Sequence, residues 1–281
     1  MARALRVEFP GAVYHVQARG CPGEPVFADD TDRERFLSIL AGVAFRCRLI
    51  CYAYCLLEEE YHLLLETPEA NISRAMRQLN GVYGQSFARR HGRKGQVFGT
   101  RFRARLVEKE SYLPEVARDL VLRPVRAGLV SCPSQWRWSS YPSMAGDAPT
   151  PSFLASGWFA RLNESRTVAE ARESYRSFVA RGLEEEDPLR PLEKSPIVGR
   201  PAFADALRPR LHDAALAHSA GPSRVLRPRP SLPELLHDTR EREVRNASIR
   251  KAYLQYGYTM KAIGDQLHLH YSTVSRILGT D

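Results

Sequence analysis

Apolar and polar positions change periodicity several times along the first 126 residues. Alternating segments predict strands, and apolar side chains at steps of three and four predict amphipathic helices. In chain order the predicted elements are a strand at 11–20, a helix at 29–47, strands at 49–57 and 60–67, a helix at 71–92, a strand at 97–110 and a helix at 111–122 that stops at Arg123-Pro124. This β-α-β-β-α-β-α order predicts an α+β fold, a ferredoxin-like antiparallel sheet with packed helices.

The pattern changes near residue 146, where a proline-rich break interrupts the chain. Short helical segments follow, and a segment rich in proline and serine has the composition of a linker. The predicted organisation is an α+β domain at 1–145, a helical extension at 146–218, a linker at 219–233 and a second domain at 234–281.

The last predicted domain has the spacing of a helix-turn-helix. Its expected packing positions are Ile263, Leu267, Leu269, Val274 and Ile277. The helix over residues 271–278 would lie in a major groove of duplex DNA and present Ser272, Thr273 and Arg276 to it. The alternative is a helical hairpin without a DNA role, because His268 stands where a turn glycine is expected.

Charge supports a polyanionic partner. The 281-residue chain carries a net charge of +9 and a pI near 9.5, which favours nucleic acid. The N-terminal segment lacks the apolar core of a signal peptide, and no segment approaches the ~20 apolar residues of a transmembrane helix. We therefore expect a cytoplasmic protein with no membrane partner and leave its oligomeric state open.

A basic belt lies between residues 87 and 107. Its members are Arg89, Arg90, Arg93, Lys94, Arg101, Arg103 and Arg105, and the interval between Phe87 and Val107 contains no acidic residue. On a strand, the last three arginines would share one face and form a ladder across a phosphate backbone. Phe98 and Phe102 would offer rings on which unpaired bases stack. The alternative is an ordinary solvated charged surface.

Four segments together resemble a known family. RVEFPGAVYHVQARG, YHLLLETP, RAMRQLNGVYGQSFARRHGRKGQVF and RPVRAGLV occur in the same order as in the REP-associated tyrosine transposases of bacteria, members of the HUH superfamily. The resemblance covers about residues 1–145. It implies a divalent metal held by a His-hydrophobic-His motif and a tyrosine that attacks the scissile phosphate of single-stranded DNA to form a covalent 5′-phosphotyrosine.

Three functional positions depart from the family pattern. His62 matches the second histidine of the motif, and Glu60 stands at the first. The family nucleophile lies five residues before the proline of an Asn-Pro-Val-Arg-like segment, which here gives Asp119, and the asparagine is replaced by Arg123. Tyr112, seven residues earlier on the same predicted helix, is the remaining tyrosine candidate.

The departures leave several hypotheses open. We predict a DNA-binding protein of transposase descent that recognises hairpin or repeat single-stranded DNA without tyrosine-dependent cleavage. The alternative is an active transposase or a metal-dependent single-strand DNA nuclease, in which Glu60 and His62 hold Mg²⁺ or Mn²⁺ and Asp119 or Tyr112 takes part in catalysis. Glu60 would otherwise only continue an acidic turn. His15 would either face His62 or have a structural role, and RNA binding is a third option.

Overall fold

The chain consists of two units, Met1–Leu216 and Ala217–Asp281. The computed structural model describes residues 7–165, 167–184, 189–192, 195–207, 209, 231–236, 242–254, 258 and 260–278. Most of the predicted linker at 219–233 therefore lies outside the described residues, which resume at Ser231.

A five-stranded sheet organises the first unit. Its strands and the three long helices among them are β1 (Ala12–Arg19), α1 (Asp30–Cys47), β2 (Ile50–Leu56), β3 (Glu60–Thr67), α2 (Ile72–Arg90), β4 (Arg103–Val107), α3 (Lys109–Arg126) and β5 (Ile197–Val198). The strand order is β2-β3-β1-β4-β5; the pairs among the first four are antiparallel, and β5 runs parallel to β4. The predicted α+β fold and its order of elements through α3 are confirmed.

The two faces of the sheet carry different side chains because neighbouring residues of a strand point to opposite sides. On one face the ring of Tyr61 packs 4.6 Å from that of Phe36 in α1, and its hydroxyl donates to Asn80 in α2. On the other face lie His62 and its cross-strand neighbours Gln17 and Cys55. Helix α3 contacts β2 and β3 and covers this second face.

Further segments cover both edges of the sheet. At the β2 edge, the backbone of Leu56 donates to Trp138, and Ala155 donates to Cys51. At the β4 edge, β5 pairs Ile197 with Leu106. β5 is then the outermost strand on that side, and its two residues offer only a short ladder for pairing with another chain. Helices α4 (Tyr141–Ala145), α5 (Trp158–Leu162) and α6 (Val168–Glu184) precede β5, and a helical segment at 201–207, which we label α7, follows it.

Strand β4 is shorter than the strand predicted over 97–110. Before it, Phe98 makes only an isolated bridge with Gly20, and the backbone of Gly99 donates to Arg19. A Cβ at Gly99 would lie 2.9 Å from the carbonyl oxygen of Gly20, so this close approach requires glycine. Arg101 therefore lies outside the strand, and the predicted ladder of three arginines on one strand face is wrong.

Helix α3 is longer than predicted. It continues through Pro124 to Arg126, although the sequence predicts a stop at Arg123-Pro124. Pro124 lies in the last turn; it cannot donate a backbone hydrogen bond to Leu120, and the helix ends two residues later. The extension places Arg123 and Arg126 four and seven residues after Asp119, on the same side of one helix.

The second unit contains α8 (Leu232–Leu235), α9 (Arg242–Leu254), α10 (Met260–Leu267) and α11 (Tyr271–Leu278). The side chains buried in its core are Leu236, Ile249, Ala252, Ile263 and Val274, with Leu267, Leu269 and Ile277 packed against them. The predicted packing positions thus all belong to this core. His268 adopts a left-handed φ of 51° in the turn between α10 and α11, so a residue other than glycine makes this turn. Among the described residues, no helix is long and apolar enough to cross a membrane.

Candidate functional site

Three side chains on the α3 face of the sheet form a continuous hydrogen-bonded chain. Nε2 of His62 lies 2.9 Å from Oε1 of Glu60, and Nδ1 of His62 lies 3.1 Å from Nε2 of His15. Gln17 donates to the other carboxylate oxygen of Glu60 at 2.8 Å. Both imidazoles are buried. The network assigns the protons: His62 donates from Nε2 to the carboxylate and accepts at Nδ1 from His15.

Burial and neighbouring charges set the protonation of this chain. Burial lowers the pKa of His62, and the hydrogen bond to Glu60 offsets this only in part. Burial, reinforced by His62 and by the positive charges of Arg123 and Arg105, lowers the pKa of His15 well below its ordinary value. Burial alone would raise the pKa of Glu60, but the hydrogen bond from His62, together with Gln17 and Arg123, lowers it to about 2. At neutral pH the chain is one carboxylate and two neutral imidazoles.

Asp119, the position matched to the family nucleophile, is held by two arginines. Its Oδ2 accepts from Arg123 at 3.0 Å, and its Oδ1 pairs with Arg126. The carboxylate is buried. Both oxygens of Asp119 are therefore engaged by guanidinium groups, which lowers their nucleophilicity and removes them as free ligands.

These contacts do not fit the Mg²⁺ or Mn²⁺ site considered from the sequence. Glu60 and His62 bind each other, whereas two metal ligands would both direct lone pairs at one ion. Asp119 is neutralised by Arg123 and Arg126, and the positive charge of Arg123 reaches both Glu60 and His62. In the part of the chain that the structure describes, no three His, Cys, Asp or Glu side chains are grouped as metal ligands.

Tyr112 lies away from this chain of residues. It is half-buried in the first turn of α3 and packs against the core. The seven residues to Asp119 correspond to ~10 Å along the helix axis. The backbone N–H of Tyr112 donates to the carbonyl oxygen of Glu108, and the Glu108 carboxylate pairs with Arg200, so Tyr112 lies at the Arg200 end of α3. The contacts do not bring Tyr112 together with Glu60 and His62.

Part of the basic belt is engaged inside the protein. Arg90 forms ion pairs with Asp29 at 2.6 Å and with the buried Asp32 at 2.7 Å. Arg93 pairs with Glu24, and the guanidinium of Arg105 donates to the carbonyl oxygens of Leu192 and Ser195. The interval between Phe87 and Val107 contains no acidic residue, which suggested that all seven belt charges are uncompensated. This expectation is wrong, because acidic residues distant in sequence lie beside the belt.

The other belt residues face solvent. Arg89, Lys94, Arg101 and Arg103 are exposed, and none of them has a hydrogen-bond or ion-pair partner among the described side chains. These four are the belt residues whose charges are available to an external anion. Of the two belt rings, Phe102 is buried, and Phe98 is half-buried against Tyr61 and Tyr83.

Helix α11 carries the three predicted duplex-contacting residues of the second unit. Ser272 and Arg276 are exposed, and Thr273 is half-buried. Ser272 interacts with Nδ1 of His270 at 2.7 Å just before the helix. His268 and His270 flank Leu269 in the turn before α11, so they also match a His-hydrophobic-His pattern. They do not lie on a strand, and the backbone therefore does not align their two rings.

Sequence analysis missed several members of these networks. Gln17 carried no motif, and Arg126 was noted only as part of the RPVR segment; their contacts depend on strand register and on the length of α3. Asp29 and Asp32 lie at the start of the helix predicted over 29–47, and their pairing with Arg90 was not predicted. Asp29 does cap α1, because its side chain accepts a hydrogen bond from the backbone N–H of Asp32. His15 faces His62, which is one of the two roles considered for it from the sequence. The sequence pattern that indicated this role was its alternation with Gln17 along the strand.

Among known proteins, similarity was found to solved structures. No protein-family model and no curated protein matches the sequence. A solved structure of a REP-associated tyrosine transposase bound to a REP hairpin matches with a TM-score of 0.46 and 17% sequence identity. The match covers 55% of this chain and 92% of that chain.

Proposed function

We propose that the protein binds DNA containing unpaired nucleotides, such as a hairpin or repeat, and does so without tyrosine-dependent cleavage. The observation that carries this proposal is the contrast between two sets of charged residues. Asp119, at the position of the nucleophile, is neutralised by Arg123 and Arg126 inside the fold. Meanwhile four cations of the belt remain exposed and unpaired among the described residues.

Phosphate binding follows from the exposed cations. An Arg or Lys that neutralises a phosphate releases condensed counterions, so affinity falls with rising salt. Four such contacts on a single strand predict a slope of about −3 in a plot of log K against log salt concentration. The four residues that supply them are Arg89, Lys94, Arg101 and Arg103.

The second unit supplies the proposed duplex contact. Ser272 and Arg276 on α11 are exposed side chains at the positions that a recognition helix presents to a major groove. Arginine is suited to bidentate hydrogen bonding with guanine. A hairpin offers both substrates at once, a paired stem and unpaired nucleotides.

Binding measurements test the proposal. We expect a labelled DNA hairpin with a single-stranded tail to bind with the salt slope given above. Replacing Arg101 and Arg103 by alanine should reduce that slope by about 1.4. Glu59→Gln, which changes an exposed carboxylate paired with Arg19, is a control for charge changes outside the belt. Absence of DNA binding, or binding without salt dependence, would contradict the proposal.

A hydrolytic nuclease using Glu60, His62 and Asp119 is the alternative that the sequence raised. It would require Asp119 to leave both arginines and Glu60 to leave His62 before a metal could bind. Cleavage of single-stranded DNA in Mn²⁺ that is lost in Glu60→Ala would favour it over the proposed function.

A further inference from the structure

A groove of about 880 Å³ runs between α2 and the extended segment at 95–102. The α2 wall includes Arg77, Asn80, Gly81 and Gly84, which recur at steps of three and four and so form one stripe along the helix. The other wall is the segment that precedes β4. The groove lies outside the Glu60–His62–His15 chain, since Asn80 contacts Tyr61 on the opposite face of the sheet.

The two glycines of α2 have no structural requirement for glycine. A Cβ at Gly81 would meet no atom within 4 Å, and a Cβ at Gly84 would approach only Val97, at 3.9 Å. Neither has a positive φ. Glycine is the least favourable residue in a helix interior after proline, so two of them on one stripe lower helix stability without improving packing. Their effect on the structure is to keep this side of the groove open.

The electrostatics of the groove favour an anion. Arg77 on α2 and Arg101 on the opposite wall are exposed. Neither has a hydrogen-bond or ion-pair partner for its guanidinium among the described residues, in contrast to Arg90, which is paired with two aspartates. Among the described residues, no aspartate or glutamate lines the groove, although Glu8 accepts a hydrogen bond from Ser73 at its edge. Two guanidinium groups without an acidic partner, one on each wall, give the groove a positive charge that attracts phosphate.

The remaining lining suits nucleobases. The ring of Phe98 is fixed by an edge-on contact with Tyr61, with centroids 5.8 Å apart. Asn80 accepts the Tyr61 hydroxyl at Oδ1, which orients its amide nitrogen as a donor, and Gln85 is exposed beside it. Aromatic rings and side-chain amides are the groups that contact unpaired bases. The volume is that of a ligand cleft, which admits unpaired nucleotides and excludes the full width of a duplex.

We propose that this groove binds unpaired nucleotides of a DNA strand, with Arg77 and Arg101 on the phosphates and with Gly81 and Gly84 holding the groove open. The inference rests on the proposed function, that the protein binds DNA with unpaired nucleotides, and assigns those nucleotides to a site.

Filling the groove tests the inference. Gly81→Gln adds a side chain into open space, so the thermal midpoint should stay the same or rise. Affinity for a hairpin with a single-stranded tail should fall by about tenfold, to that of the same hairpin without a tail. The matched control is Gly42→Gln in α1, where the nearest atoms belong to the flexible end of Arg46; it should bind both DNAs as the wild type does.

The outcomes separate the inference from the proposed function. If the wild type binds neither hairpin, both are wrong. If the wild type binds both hairpins equally, or if Gly81→Gln retains the preference for the tailed DNA, the inference is wrong and the proposed function stands. Tighter binding of an RNA tail than of a DNA tail by the wild type would overturn the assignment to DNA. Arg77→Ala combined with Arg101→Ala should independently lower the salt slope for the tailed hairpin by about 1.4.

Discussion

Glu60→Gln should destabilise the first unit in a way that depends on pH. The pKa of Glu60 is about 2 in the folded protein, against an ordinary value of 4.5. A depressed pKa contributes stability above the unfolded value, and that contribution is lost as pH falls towards the folded value. Without screening by solvent, this shift in pKa would correspond to about 3 kcal/mol in the free energy of unfolding at pH 7 and to about half of that at pH 3. Solvent reaches part of the Glu60 carboxyl and screens its charge, so the expected contribution to stability is smaller, about 2 kcal/mol at pH 7.

Urea unfolding followed by tryptophan fluorescence measures this difference. The chain contains three tryptophans, and Trp136, Trp138 and Trp158 all lie in the first unit, so the signal reports on that unit. The free energy of unfolding should differ between wild type and Glu60→Gln by about 2 kcal/mol at pH 7, and the difference should shrink by about half at pH 3. Glutamine keeps the shape of the side chain and removes its charge.

Glu59→Gln is the matched control for this experiment. Glu59 is the preceding residue and pairs with Arg19, but 37% of its side chain is exposed. An exposed ion pair contributes about 1 kcal/mol or less. If Glu60→Gln unfolds like Glu59→Gln, or if its effect is the same at pH 7 and pH 3, the hydrogen-bonded chain of Glu60, His62 and His15 does not stabilise the fold as described here.

Three further predictions concern the charged surfaces. Arg90→Ala should lower the urea midpoint because it leaves the buried Asp32 with one partner fewer. Arg89→Ala should unfold like the wild type in the same titration, and equal effects of the two substitutions would contradict the structural role of Arg90. Arg101→Ala should weaken binding to single-stranded DNA by about fivefold at 0.1 M salt, measured by fluorescence anisotropy, and unchanged affinity would remove it from the interface. Arg276→Ala should reduce discrimination among duplex sequences by about tenfold in competition assays; a uniform loss across sequences would indicate a phosphate contact instead.

Local sequence patterns predicted the scaffold because its elements depend on local periodicity. The strand at 60–67 and the helix at 71–92 both form close to their predicted bounds. The strand at 97–110 failed because Gly99 brings two backbone segments together, a tertiary contact that alternation of side chains does not encode.

The candidate site was predicted only in part, for a related reason. Glu60 and His62 were found together because residues two apart on a strand point to one face. The pairing of Asp119 with Arg123 and Arg126 depended on α3 continuing through Pro124, which local propensity disfavours. The neutralisation of Arg90 and Arg93 depended on acidic residues about 60 positions away in the chain, at separations that no charge run reveals.

The central claim is that the protein binds DNA without forming a covalent bond to it. The most direct test incubates the full chain with an end-labelled, tailed DNA hairpin in Mn²⁺ and analyses the mixture under denaturing conditions. The account predicts a complex in native gels and no labelled protein after denaturation. A labelled adduct that survives denaturation and disappears in Tyr112→Phe would contradict it.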